Sequence, residues 1–192
     1  MRLSIAEIIH AAKGKLISGD PGADISGISI DTRAIKKGDL FAALKGENFD
    51  GHDFIGEAVR KGAMGIVAES RIKDQGSDRA SRPAVILVKD TLTALGDIAA
   101  YYRMKFDIPI IGVTGSSGKT TVKEMVHSVL NRRFFVLKSE GTENNFIGVS
   151  KTLFRLNRAH QTAVLELGTN HFGEIRRLAQ ILKPTTGLIT NI

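Results

Sequence analysis

Residues 112–121, which read GVTGSSGKTT, have the types and spacing of a loop that binds a polyphosphate. They lie between an apolar segment that predicts a strand and a segment that predicts a helix. Glycine at 115 and 118 lets the backbone approach phosphate oxygens closely. Successive backbone N–H groups and the N-terminus of the helix then supply positive potential. This segment therefore predicts a phosphate-binding loop.

Two side chains of this loop can act on phosphates directly. Lys119 can reach the β- and γ-phosphates of a nucleotide, and the Thr120 hydroxyl can ligate a magnesium ion. The general spacing places glycine six residues before the lysine, but Val113 stands there and Gly112 lies one residue earlier. A purely structural glycine turn is the alternative, and Gly-Lys-Thr-Thr at a strand–helix junction favours the phosphate loop.

The stretch TAVLELGTN supplies a carboxylate for the same site. Glu166 follows apolar residues of a predicted strand, and Gly168 opens the turn after it. A magnesium–ATP site uses a carboxylate at the tip of a neighbouring strand, so Glu166 and Thr120 are predicted to hold the metal. An ordinary solvated glutamate is the alternative.

The predicted elements that position these residues change character near residue 90. Upstream they are short, namely a helix at 4–12, strands at 28–30 and 39–44, a helix at 52–61, and strands at 65–69 and 84–88. Downstream, helices at 91–105, 119–131, 147–156 and 173–182 alternate with apolar strands at 108–114, 134–138, 162–167 and 187–191. Apolar strands that alternate with helices predict a parallel sheet covered on both faces.

The predicted fold class is therefore α/β, with a small N-terminal α/β module at 1–89 and a parallel-sheet domain with a phosphate loop at 90–192. The polar stretch 69–83 predicts a surface loop. Ligand sites of open α/β sheets lie in loops beyond the carboxyl ends of the strands. Because no such loop follows the last predicted strand, we expect the second domain to be incomplete.

Composition argues against several classes of protein. Lys and Arg number 27 against 20 Asp and Glu, but they are scattered, and two Tyr and no Trp offer little base stacking. We therefore expect polyphosphate ligands and no nucleic acid. The absence of cysteine excludes disulfides and thiolate metal sites. No apolar run approaches the ~20 residues of a membrane helix, so we expect no membrane span and a cytoplasmic location.

The sequence TGSSGKTT resembles the ATP-binding loop of the Mur ligases, the amide-forming enzymes of peptidoglycan synthesis, whose glycine spacing is shifted in the same way. SIDTRAIKKGDLFAALKGENFDGHDFIGEAVRKGA resembles the N-terminal uridine-nucleotide module of that family. TENNFIGVSKTLFRL and VLELGTNHFGEIRRLAQILKPTTGLITNI resemble the first half of its central ATPase domain. The resemblance implies a UDP-muramoyl substrate-binding module at 1–89 and the N-terminal part of an ATP-binding domain at 90–192.

Within the family, the forms ELG…GEI and NN-IG resemble the branch that adds D-alanyl-D-alanine to UDP-N-acetylmuramoyl-tripeptide. The resemblance implies ATP and Mg²⁺ as cofactors, an acyl phosphate intermediate and a monomeric enzyme. A lysine and a histidine that help the family to hold magnesium lie beyond residue 192, so the chain alone is expected to be inactive.

Other functions stay open at this point. One is a Mur-type ligase that adds the third amino acid, which more typically shows a serine-rich turn after the strand glutamate. Others are a folate polyglutamate ligase, a kinase or GTPase with a phosphate loop, and a module that binds nucleotide without turnover.

The resemblance also implies roles for individual residues. Lys119 and Glu166 are the expected catalytic residues, and Thr120 and Glu166 the expected magnesium ligands. The residues expected around the ATP phosphates are Gly115, Ser116, Ser117, Gly118, Lys119, Thr120 and Thr121. Those expected to contact the muramoyl nucleotide are Asp31, Thr32, Arg33, Lys45, Gly46, Glu47, Asn48 and Phe49, with Asn144 and Asn145 on the nucleotide or phosphates.

The residues of the first module also fit simpler interpretations. Asp31 and Thr32 can bond their own backbone in a turn that leaves Arg33 solvated. ENFDGHDF equally fits an Asp-Gly turn before a helix. His52 and His171 flank glycine turns and fit caps or surface residues better than bases or ligands, and His127 fits helix packing.

Overall fold

The computed structural model describes residues 1–69 and 83–192. The chain divides into two compact units, Met1–Ile98 and Ala99–Ile192, within a single helix. The surface loop predicted at 69–83 lies, apart from its two end residues, outside the described residues. Among the described residues, no helix has the length and apolar character needed to cross a bilayer.

The first unit contains a mixed five-stranded sheet. Its elements are β1 (Leu3–Ser4), α1 (Ile5–Ala12), β2 (Lys15–Ser18), β3 (Asp24–Ile25), β4 (Ile28–Ser29), β5 (Leu40–Ala42), α2 (Ile55–Arg60), β6 (Gly65–Ala68), β7 (Ala84–Leu87) and the start of α3 (Thr91–Arg103). The strand order is β2-β7-β6-β5-β4, in which β4 to β7 are parallel and β2 is antiparallel. Two short 3₁₀ turns lie on either side of β5 in the sequence, Thr32–Ala34 before it and Gly51–Phe54 after it.

The N-terminal helix begins and ends where its sequence indicates. The Ser4 hydroxyl accepts a hydrogen bond from the Glu7 N–H at 3.2 Å, and the Glu7 carboxylate accepts one from the Ser4 N–H at 2.8 Å. This reciprocal cap fixes the first turn of α1. Lys13, in the left-handed region with φ 51°, ends the helix. The predicted helix at 4–12 is confirmed, whereas β1, β2 and β3 are additional to the prediction.

The second unit is the predicted parallel sheet with helices on it. Its elements after α3 are β8 (Ile110–Thr114), α4 (Lys119–Leu130), β9 (Val136–Lys138), α5 (Phe146–Phe154), β10 (Thr162–Glu166), α6 (Glu174–Leu182) and β11 (Thr186–Ile189). All strands are parallel, in the order β11-β8-β10-β9. The central pair β8 and β10 therefore brings the loops after both strands to one edge of the sheet.

Alternation along β8 places two helices on opposite faces of this sheet. Val113 packs with Val122 and Val126 of α4 on one face. On the other face, a side chain at Gly112 would lie 3.3 Å from Leu182 of α6. Gly112 therefore allows helix and strand to pack closely. This packing role explains a glycine one residue before the general phosphate-loop position.

Candidate functional site

The loop between β8 and α4 has a backbone that glycine alone adopts readily. Gly115 has φ +138° and Gly118 has φ +76°. Residues with a Cβ rarely adopt these angles. A Cβ at Gly115 would also collide with Thr190 and lie 2.8 Å from the Asn191 backbone nitrogen. Both glycines are thus required by the shape of the loop.

The helix after the loop presents an uncapped N-terminus. Gly118 is the N-cap and has no side chain that could accept a bond from the first turn. The first N–H groups of a helix have no partner within it, and they carry the positive end of the helix dipole. The start of α4, from Lys119 to Thr121, is therefore suited to bind a phosphate.

Lys119 lies against the loop that it follows. Its ammonium group donates to the carbonyl oxygens of Gly115 at 2.7 Å and Ser116 at 3.3 Å. These bonds hold the charge within the loop that the two glycines shape. A polyphosphate bound there would meet an ammonium group already in position, which can exchange neutral carbonyl oxygens for charged phosphate oxygens.

Thr120 and Glu166 come together beside the loop. The Thr120 hydroxyl donates to Glu166 Oε2 at 2.7 Å. Glu166 ends β10, is only 2% exposed and lies in register with Val113 of β8. The parallel pairing of β8 and β10 thus brings the carboxylate to the first turn of α4. The structure confirms that the two residues are neighbours, and their role as metal ligands stays a prediction.

Asn144 holds the other oxygen of the same carboxylate. Its side-chain amide donates to Glu166 Oε1 at 2.9 Å, and its main-chain carbonyl oxygen accepts from the Gly168 N–H at 2.8 Å. A Cβ at Gly168 would lie 2.7 Å from the Asn144 side chain, so this glycine permits the approach. Asn145 instead caps α5 and accepts from the Gly148 N–H at 2.9 Å. Contact of these two asparagines with a nucleotide stays a prediction.

The paired hydroxyl and carboxylate fit a magnesium ion. Mg²⁺ is commonly held by one or two protein oxygens and completes its octahedron with waters and substrate phosphates. Thr120 and Glu166 offer such oxygens next to a phosphate-binding helix terminus. Among residues 1–69 and 83–192, no group of three or more His, Asp or Glu side chains could hold a metal. This set therefore suits an ion that arrives with a nucleotide.

The two residues after β11, Thr190 and Asn191, also contact the loop, which the sequence analysis missed. The Ser116 N–H donates to the Asn191 carbonyl oxygen at 3.0 Å, and its hydroxyl donates to the Asn191 side chain at 3.2 Å. Thr190 donates to the carbonyl oxygens of Thr114 and Ser117. The Ser116 N–H, expected to face the phosphates, is thus used within the protein. The polar residues Thr190 and Asn191 lie at the end of a predicted parallel strand, and this pattern could have indicated that they lie near the loop.

In the first unit, Asp31 and Arg33 form a closed pair. Arg33 Nη2 donates to Asp31 Oδ2 at 2.7 Å, Nε donates to Oδ1 at 3.0 Å, and the Arg33 N–H donates to Oδ1 at 2.9 Å. The hydrogen bond from the Arg33 side chain lowers the pKa of Asp31 to about 2. This is the turn described as the simpler interpretation. Thr32 is buried, and its carbonyl oxygen accepts from Lys61.

The segment 45–49 forms a small exposed turn after β5. Lys45 pairs with Asp50 in an isolated bridge, and the Gly46 N–H donates to the Phe49 carbonyl oxygen at 2.9 Å. Phe49 is 74% exposed, and Glu47 and Asn48 are exposed beside it. Since β4 and β5 are parallel neighbours, this turn and Asp31 lie at the same edge of the first sheet.

The histidines take structural roles, but His52, whose side chain is 10% exposed, is neither the predicted cap nor a surface residue, because Asp50 caps this turn. His52 bonds to Asp50 through Nδ1 at 2.5 Å and accepts from the Glu69 N–H through Nε2 at 3.0 Å, so it ties the turn to the end of β6. His171 pairs with Glu174 at the exposed start of α6. His127 lies half-buried on α4, where burial lowers its pKa.

Comparisons with known proteins match two domains in this chain. Residues 24–103 match the family described as "Mur ligase family, catalytic domain", and residues 113–192 match "Mur ligase middle domain". The UDP-N-acetylmuramoyl-tripeptide–D-alanyl-D-alanine ligase of Synechocystis is 48% identical over 168 residues, which cover 88% of this chain and 36% of that protein.

Two solved structures share the fold. A UDP-N-acetylmuramoylalanyl-D-glutamyl-2,6-diaminopimelate–D-alanyl-D-alanyl ligase from Acinetobacter baumannii is 38% identical with a TM-score of 0.89, covering 100% of this chain and 42% of that one. The MurF ligase from Thermotoga maritima, solved in complex with ADP, is 34% identical with a TM-score of 0.77, covering 86% and 37%. The chain thus spans well under half the length of the relatives that it matches. On its two matched regions and its phosphate loop, the chain belongs to the Mur ligase family.

Proposed function

We propose that this chain forms the substrate-binding and ATP-binding parts of a ligase that joins D-alanyl-D-alanine to UDP-N-acetylmuramoyl-tripeptide. The observation that carries the proposal is the 2.7 Å contact between Thr120 and Glu166 beside an uncapped helix N-terminus. The names of the similar proteins supply the substrates. The predicted monomeric state and cytoplasmic location stay predictions.

The proposed reaction has two steps. A terminal carboxylate oxygen of the tripeptide attacks the γ-phosphorus of ATP, the bond to the β–γ bridging oxygen breaks, and ADP leaves. The amine of D-alanyl-D-alanine then attacks the carbonyl carbon of the acyl phosphate. Inorganic phosphate leaves, and the amine nitrogen loses a proton as the amide forms.

The chain's own residues meet the main electrostatic difficulty of the first step. A carboxylate anion must approach a triphosphate, so like charges concentrate at one place. The first turn of α4 and the Lys119 ammonium stabilise the phosphates, and Thr120 and Glu166 would hold a magnesium ion. A bound Mg²⁺ supplies further neutralisation of the phosphate oxygens. Removal of one such interaction typically costs about 3–4 kcal/mol in the transition state.

The first unit is proposed to bind the uridine diphosphate end of the substrate. The Arg33 side chain is 86% exposed, and its pairing with Asp31 is a surface pair that costs little to rearrange. A guanidinium group can bind a phosphate through two parallel hydrogen bonds. The exposed 45–49 turn lies at the same sheet edge and offers Lys45 and the Phe49 ring.

A chimeric enzyme tests the proposed activity without depending on the length of this chain. Residues 1–192 would replace the matching segment of the Acinetobacter ligase, whose structure aligns over all of this chain. The chimera is incubated with ATP, Mg²⁺, UDP-N-acetylmuramoyl-tripeptide and D-alanyl-D-alanine, and products are measured by mass spectrometry. We expect the pentapeptide nucleotide, ADP and phosphate in equal amounts.

Two variants of the chimera sharpen this test. Lys119→Ala is expected to abolish product, whereas Arg132→Ala, exposed beyond the end of α4, is expected to leave it unchanged. A chimera that folds and binds both nucleotides but makes no pentapeptide would contradict the proposed function.

A further inference from the structure

Lys123 is a buried charged residue that has no part in the proposed binding of phosphate or magnesium. It lies on α4 one turn after Thr120, and its side chain is fully buried. Its ammonium group donates to the Ser139 carbonyl oxygen at 3.0 Å and pairs with Glu124 Oε1 at 3.1 Å. Burial of an ammonium group is costly unless it is paired and hydrogen-bonded. The position of this lysine is therefore fixed by specific contacts.

Ser139, the partner of Lys123, also holds the candidate metal ligand. It follows β9 directly and is fully buried. Its hydroxyl oxygen accepts a hydrogen bond from the backbone N–H of Glu166 at 3.0 Å. Lys123 is thus bonded to the residue that fixes the main chain at Glu166.

Together with the backbone of α4, these hydrogen bonds form a closed ring of contacts through Thr120, Glu166, Ser139 and Lys123. Thr120 binds the Glu166 side chain directly, and Lys123 reaches the Glu166 main chain through Ser139. Thr120 and Lys123, the two residues of the ring that lie on α4, are three residues apart. The same helix therefore contributes, through Thr120 and through Lys123 and Ser139, to holding both the carboxylate and the main chain of Glu166, which the pairing of β8 and β10 brings to this edge.

We propose that Lys123 is a positioning residue that holds Glu166 and Thr120 at the separation that a magnesium ion requires. This inference rests on the proposed binding of magnesium and nucleotide at the phosphate loop. Mg²⁺ demands near-ideal octahedral geometry with short bonds to oxygen, so a small shift of one ligand weakens binding. Loss of outer-shell partners typically lowers metal affinity by about 10-fold to 100-fold.

Nucleotide titrations of the 192-residue protein test the proposal. Lys123→Met keeps an unbranched side chain of similar length and removes the ammonium group from this buried position. Calorimetry would measure the affinity for ADP with Mg²⁺ and, separately, with a chelator. We expect the gain in affinity that Mg²⁺ provides to fall about 10-fold or more, while metal-free affinity stays within about twofold.

Lys138 provides a matched control. It pairs with the same Glu124 carboxylate at 2.5 Å but from a position that is one third exposed. Lys138→Met removes one lysine–Glu124 pair and leaves the bond between Lys123 and Ser139 in place. It is expected to leave the magnesium-dependent gain unchanged, which separates the ring from the charge of Glu124.

Ser139→Ala guards against poor folding of the lysine variant. It removes only the hydroxyl that accepts from the Glu166 N–H and keeps the carbonyl oxygen that binds Lys123. Amide hydrogen exchange at Glu166, measured without nucleotide or metal, is expected to be faster in both variants. This measurement reports the ring itself and needs no bound ligand.

The outcomes distinguish this inference from the proposed function. Folded variants with an unchanged magnesium-dependent gain would overturn the positioning role, as would equal losses of affinity with and without Mg²⁺. Absence of magnesium-dependent ADP binding in the unaltered protein would instead contradict the proposed function. In that case unchanged exchange at Glu166 in both variants would still overturn the ring, and faster exchange would support it.

Discussion

The Thr120 hydroxyl donates a hydrogen bond to Glu166 Oε2 at 2.7 Å, across 46 residues of sequence. This contact joins the first turn of the helix after the phosphate loop to the tip of the neighbouring strand. The separation is closed by the parallel pairing of β8 and β10. A hydroxyl and a carboxylate that meet beside a helix N-terminus are what a magnesium–nucleotide site needs.

Glu166→Gln should weaken magnesium-dependent nucleotide binding. Glutamine has the same shape as glutamate, and its amide oxygen can still accept the hydrogen bond from Asn144. The substitution removes the negative charge that a cation requires. We expect the affinity for ADP with Mg²⁺ to fall about tenfold or more, and the metal-free affinity to change little or to rise. Calorimetric titration at several Mg²⁺ concentrations measures both. If the variant bound metal-free ADP more weakly than the unaltered protein does, the role of Glu166 as a metal ligand would be contradicted.

Gly115→Ala should destabilise the second unit. Its φ of +138° disfavours any Cβ, and the added atom would collide with Thr190. The expected loss is about 1–3 kcal/mol in the free energy of unfolding, measured with urea. Gly187→Ala is the matched control, because a Cβ there meets nothing within 4 Å and its φ is ordinary. Equal stability of the two variants would contradict the strained-loop description.

Arg33→Ala should raise the pKa of Asp31. Hydrogen bonds from the Arg33 side chain and, to a smaller extent, from its backbone N–H lower this pKa from 3.8 to about 2. A lowered pKa means that the ionised form stabilises the fold above about pH 4, and this contribution is lost as the pH falls towards 2. In the variant we expect the Asp31 pKa to move back towards 3.8, as measured by NMR titration of the side-chain carboxyl. An unmoved pKa would show that the backbone N–H bond alone is responsible.

UDP should perturb one edge of the first unit. NMR shift mapping is expected to show changes at Thr32, Arg33 and residues 45–49, because these segments follow the parallel strands β4 and β5. Arg33→Ala is expected to weaken UDP binding by about tenfold or more, the size typical of a lost hydrogen bond to a charged group. Shifts confined to residues 112–121 would mean that UDP occupies the phosphate loop, and the module's proposed role would be wrong.

The contact of Thr120 with Glu166 was predictable because two general rules converge. A glycine-rich loop between strand and helix fixes Thr120, and a polar residue at the end of an adjacent parallel strand must lie at the same edge. The position of Gly112 is explained by packing and not by contact with a phosphate. A Cβ at Gly112 would lie 3.3 Å from both Leu167 and Leu182, so glycine at this position allows α6 to pack closely on the sheet.

Other contacts of the site could not be predicted from local pattern. Lys123 and Ser139 belong to no motif, and their bond depends on which side of α4 faces the end of β9. Thr190 and Asn191 touch the loop only because β11 pairs with β8. Strands β1 and β3 have two residues each, too few for an alternating pattern to appear.

Binding of a magnesium–nucleotide complex to the phosphate loop is the central claim, and one calorimetric measurement tests it most directly. The 192-residue protein is titrated with Mg²⁺ and a hydrolysis-resistant ATP analogue, beside its Lys119→Ala variant. We predict saturable binding that requires Mg²⁺ for full affinity and is about 10-fold to 100-fold weaker in the variant, because a charged donor to the phosphates is lost. Equal affinity of the two proteins, with Mg²⁺ present, would contradict the account.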